Sequence, residues 1–112
     1  MKKITSFFAS LLLVFTTAAF AEANQSKAAL HHASAAAVEG KSGRANELVK
    51  HAGLALENAL AAALVANGAA QKNLEAAANE LEEAINQGNL NHSETATGHV
   101  ETAISYLKEA NK

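Results

Sequence analysis

Apolar residues in this chain fall at steps of three and four along four successive stretches, the spacing that gives a helix one apolar face. Leu30, Ala33 and Ala37 mark the first, over about Gln25 to Glu39, with Ser26 placed as its cap. Leu48, Ala52, Ala55, Ala59 and Ala63 mark the second, from near Asn46 to Ala66, and Val49, Leu56 and Leu60 widen that stripe. The third runs from about Ala70 to Gln87 on Leu74, Ala78, Leu81 and Ile85. The fourth runs from Asn91 or Ser93 to Ala110 on Ala96, Val100, Ala103, Ile104 and Leu107. Gly40, Asn67-Gly68 and Gly88 punctuate the pattern, and glycine readily takes the left-handed conformation that closes a helix.

The pattern is duplicated. A shift of 48 residues sets Gly40 on Gly88, Ala33 on Leu81, Ala37 on Ile85, Ala55 on Ala103, Leu56 on Ile104 and His51 on His99. Two copies of a helical hairpin joined by short connections predict an all-α, up-down-up-down four-helix bundle. The missing prolines and tryptophans and the abundant alanine favour helix over sheet. Leucine and isoleucine interleaved with alanine let the helices approach closely around a thin core.

The first 21 residues read as a leader rather than as part of the bundle. Lys2 and Lys3 precede an apolar run from Phe7 to Phe20, and Ala19-Phe20-Ala21 supplies the small-x-small cleavage pattern before Glu22. The run is short for a membrane span, and no cysteine follows it to carry a lipid. The expected exported domain is residues 22–112. Taking Lys2 and Lys3 from the nine basic residues leaves seven against eleven acidic ones, a net charge of −4. That balance gives no footprint for nucleic acid, and the polar helix faces lack the lysines of a membrane-surface helix. With no cysteine there is no disulfide, thiolate metal site or c-type haem attachment.

Candidate chemistry therefore rests on five histidines: His31, His32, His51, His92 and His99. In antiparallel hairpins that turn after Gly40 and Gly88, His32 faces His51, Glu80 faces His99 and Gln87 faces His92. His92 and His99 are two helical turns apart, about 10 Å along the axis, so one ion cannot join them and any site must pair residues across helices. His51 and His99 sit at the border of their apolar stripes, which leaves a ring nitrogen within reach of solvent. A neutral imidazole there suits zinc, copper or nickel. Two imidazoles with a carboxylate or water make an open site, and Glu47, one turn before His51, offers the carboxylate. Two imidazoles can share an ion if they approach within about 4 Å, the span of two metal–nitrogen bonds. Boundary histidines that only pack and hydrogen-bond are the other reading of the same positions.

No nucleophile with its base and orienting acid is evident, and Lys41-Ser42 lacks the context of a phosphate-binding loop. No Glu-x-x-His occurs to build a di-iron centre. The acidic run Glu80, Glu82, Glu83 reads as a solvated face, and the chain is not expected to be an enzyme.

Three stretches, Asn46-Glu47-Leu48-Val49-Lys50-His51-Ala52, Leu81-Glu82-Glu83-Ala84-Ile85-Asn86-Gln87-Gly88 and Ala96-Thr97-Gly98-His99-Val100-Glu101-Thr102-Ala103-Ile104, resemble the small metal-binding protein family of the bacterial periplasm. The likeness covers nearly all of the chain, leader and glycine turns included. It implies a monomeric, histidine-rich four-helix bundle that buffers or scavenges divalent metals such as copper. Histidines recur every seven residues in the family pattern. The matching positions kept here are His32, His51, His92 and His99, while Glu39, Arg44, Asn58, Glu80, Gln87 and Tyr106 stand where the pattern has histidine; His31 is extra.

The resemblance thus implies an intact His32/His51 pair as principal ligands, a mixed Glu80/His99 pair, a weaker Gln87/His92 pair, and Glu39 with Arg44 turned into a salt bridge. Copper, zinc or nickel is the expected cargo, with His31 and Glu47 as helpers. The competing reading is a periplasmic helical interaction or stress protein that has lost its metal.

Overall fold

The computed structural model describes the backbone from residue 18 to residue 112 and the side chains from residue 24 on. Four helices, α1 (Ala18–Lys41), α2 (Ala45–Val65), α3 (Gly68–Asn89) and α4 (Ser93–Ala110), form an antiparallel bundle in which each packs on the next and α4 closes onto α1. The leader read from the sequence falls largely on residues 1–17, outside the described residues.

The first helix starts earlier than its apolar stripe predicts, because Ala18-Ala19-Phe20-Ala21-Glu22-Ala23 contains good helix formers and no breaker. Ser26 therefore lies inside α1 rather than capping it, buried and, among the described residues, with no hydrogen-bond partner for its Oγ.

The turn glycines also divide their work differently. Gly40 and Gly88 both lie within helices. The residues that close α1 and α3 stand three positions later, Gly43 at φ +77° and Asn91 at φ +62°. Around them the backbone bonds repeat one for one across the 48-residue shift. Gly43 N–H donates to Gly40 O at 3.0 Å and Asn91 N–H to Gly88 O at 2.9 Å. Arg44 N–H donates to Glu39 O at 3.0 Å and His92 N–H to Gln87 O at 2.9 Å. This paired pattern with a left-handed residue at its centre is the Schellman closure, which takes glycine best and asparagine next.

Gly40 and Gly88 are instead points of close approach. A Cβ on Gly40 would fall on Thr97 Oγ1 and 2.6 Å from Leu48 Cδ1; one on Gly88 would fall 2.5 Å from Val49 Cγ2. Thr97 and Val49 are themselves related by the shift. Each glycine so joins one hairpin to the other, α1 to α4 and α3 to α2, and the bundle has approximate internal two-fold symmetry.

The core follows the predicted stripes. Leu48, Leu74, Leu81, Val100 and Leu107 are its largest fully buried side chains, and alanines fill the space between them. Leu60 departs from the expected stripe and is 45 % exposed, with Leu64 one turn on at 85 %. At that level α3 presents Gln71 and Glu75 rather than apolar side chains, so among the described residues Leu60 and Leu64 are left uncovered.

Candidate metal centre

Polar pairs bridge each hairpin at two levels, seven residues apart. In the first hairpin Glu39 of α1 bonds Arg44, the residue before α2, and His32 of α1 faces His51 of α2. In the second, Gln87 of α3 meets His92, the residue before α4, and Glu80 of α3 meets His99 of α4. The spacing arises because an antiparallel pair closed by the same turn brings the same residue sum together at each level.

At the His32/His51 level the ring centroids are 6.4 Å apart and the planes differ by 23°. The two rings are stacked, so an ion shared between them at metal–nitrogen bonds of about 2 Å requires one ring to turn. His51 Nδ1 is buried and has no hydrogen-bond partner. A buried polar nitrogen left unpaired costs about 1–3 kcal/mol, and a bound ion is one way to satisfy such a group. His31 is exposed, its ring set edge-on to His32 at 5.6 Å. Glu47 stays on its own helix, where Lys50 reaches it at 3.4 Å. Among the described residues no three histidine, aspartate or glutamate side chains gather closely enough to hold one ion. The first hairpin thus offers a pair of imidazoles, with water left to complete a coordination shell.

His99 donates from Nδ1 to Glu80 Oε2 at 3.0 Å, both side chains about one-third exposed or less. An ionised carboxylate only accepts, so the proton resides on Nδ1 and Nε2 is the free nitrogen. Carboxylates commonly orient ligating histidines in this way, and in this arrangement Glu80 acts on the ring rather than on an ion. His92 makes the corresponding contact, Nδ1 to Gln87 Oε1 at 3.0 Å, at an exposed position. Helical spacing places both pairs, but which atom of His99 Glu80 touches is not legible from it.

Closer to the first turn, the hydrogen bond from Arg44 holds the Glu39 carboxyl below its ordinary value, with added attraction from the charges of Arg44 and His51, while partial burial opposes the shift. The same contact raises the Arg44 guanidinium. This level of the ladder carries a closed ion pair and no free imidazole.

The class defined by this geometry is a four-helix bundle of two equivalent hairpins, one bridged by a histidine pair and the other by histidines bonded to Glu80 and Gln87. Residues 1–110 match the family model described as small metal-binding protein. The chain belongs to that family. No curated protein matches it.

Proposed function

We propose that this protein binds divalent transition-metal ions at histidines paired across its hairpins and buffers them in the periplasm. The observation that carries the reading is His51, whose buried Nδ1 lacks a hydrogen-bond partner among the described residues while its ring stacks on His32 at 6.4 Å. His32 and His51 are the principal ligands, with His31 beside them. His99 supplies Nε2 for a second, weaker site, oriented by Glu80, and His92 is the most exposed of the paired histidines. Glu47 joins the first site only by leaving Lys50.

Nitrogen donors without thiolates favour copper, zinc or nickel. Two imidazoles with water form an open, exchangeable site, which suits storage and release rather than permanent structural metal. Because ligating imidazoles must be neutral, protons compete with metal for them as pH falls.

Titrating Zn²⁺ into ¹⁵N-labelled protein tests this reading atom by atom. Ring-nitrogen shifts of His32 and His51 should move first and those of His99 later, with His99 changing at Nε2. Shifts spread equally over all five histidines, or none at all, would count against paired sites.

A further inference from the structure

The groove between the C-terminal end of α2 and the start of α3 takes no part in the histidine pairs. It is open, about 720 Å³, with Leu60, Ala61, Ala63 and Leu64 forming its floor and Glu57 and Glu75 at its edges. Gln71, also in the wall, is occupied by the Ala63 carbonyl at 3.1 Å. Among the described residues neither Glu57 nor Glu75 forms an ion pair, and no lysine or arginine lines the groove.

The internal symmetry supplies a control. Shifted by 48 residues, Leu60 and Leu64 become Lys108 and Lys112, and Glu57 becomes Ser105; Glu75 corresponds to Lys27. The equivalent positions thus carry lysines where the first copy has leucines, and Lys112, past the end of α4, pairs with Glu109. Leu64, 85 % exposed, lies outside the core.

We propose that this groove docks an amphipathic helix of another protein, one that sets apolar residues on Leu60 and Leu64 and lysines or arginines against Glu57 and Glu75. Helix-in-groove recognition reads anchors at one-turn spacing, and Leu60 and Leu64 present that spacing. The two unpaired carboxylates select a cationic flank. They also disfavour the groove of a second copy, which would bring four carboxylates together, and an anionic lipid surface.

The test uses labelled model helices of about 18 residues, five turns, built from leucine with either lysine or glutamate, and reads binding to the tag-free protein by fluorescence anisotropy. The leucine–lysine helix should bind saturably and the leucine–glutamate helix should not. Leu64→Glu, at a position outside the core, should weaken binding by at least about tenfold. The double substitution Glu57→Lys, Glu75→Lys should reverse the preference, and His51→Ala should leave it unchanged. Absence of binding, equal binding of both helices, or indifference to Leu64→Glu would overturn the proposal. So would sedimentation showing Leu64-dependent self-association, or Leu64-dependent binding to phosphatidylglycerol vesicles in place of the helix.

Discussion

His99 donates a hydrogen bond from Nδ1 to Glu80 at the level where, in the first hairpin, His51 faces His32 across 6.4 Å. The two levels are equivalent under the 48-residue shift, yet one offers two imidazoles and the other offers one imidazole held by a carboxylate. The difference predicts unequal sites on one scaffold.

Replacing Glu80 by histidine should make the second hairpin a copy of the first. With His51→Ala removing the first site, Glu80→His is expected to raise Zn²⁺ affinity at the remaining level by an order of magnitude or more, about 1.4 kcal/mol. Glu80→Gln removes the charged acceptor that orients His99 and should lower affinity there by about 10-fold, within the range for supporting residues. Competition with a chromogenic chelator reads both changes.

Two alanine substitutions separate two uses of glycine. Gly43→Ala meets no atom within 4 Å but must hold φ near +77°, so its cost is backbone strain of about 1–2 kcal/mol. Gly40→Ala keeps a helical backbone but drives a methyl into Thr97 and Leu48, an overpacking cost of about 1–3 kcal/mol. Thr97→Ala should restore part of the Gly40→Ala loss and none of the Gly43→Ala loss in urea unfolding.

That division was only half visible in the chain. Periodicity gave the four stripes, the shift gave the duplication, and hairpin arithmetic brought His32 to His51, Glu80 to His99 and Gln87 to His92. Gly40 and Gly88 looked like helix stops because glycine is the common closing residue. Their actual role depends on Thr97 and Val49 of the opposite hairpin, which no local pattern reveals. The true closing residue of α3 is Asn91, less conspicuous than a glycine. Likewise Leu60 fits the apolar stripe by spacing, and only the polar side chains of α3 opposite it decide that it stays exposed. Helical arithmetic places a pair but leaves its atoms open, so Glu80 was matched to His99 while its contact with Nδ1 was not.

Acid should act on the first turn through Glu39. Its folded-state value lies below the ordinary 4.5 because Arg44 hydrogen-bonds the ionised carboxylate. The unfolded chain therefore takes up this proton first as pH falls. The contribution is fully present above the unfolded value and is lost as pH drops through the lower folded one. Below about pH 4.5, wild-type stability should fall more steeply than that of Glu39→Gln, as read by thermal unfolding across a pH series. Parallel curves would contradict the pairing.

A thin core makes each leucine matter. Leu81 is fully buried among small neighbours, and Leu81→Ala should cost about 2–5 kcal/mol, a large part of the stability of a small domain. Alanines around it have few rotamers with which to refill the space. Urea titration followed by circular dichroism measures the loss.

The most direct measurement is calorimetric titration of the tag-free protein with Cu²⁺, Zn²⁺ and Ni²⁺ at neutral pH, beside His51→Ala and His99→Ala. Paired-histidine binding predicts saturable uptake in which His51→Ala removes the tighter phase and His99→Ala the weaker. Heat no greater than the blank, or binding untouched by His51→Ala in a variant that still folds, would contradict it.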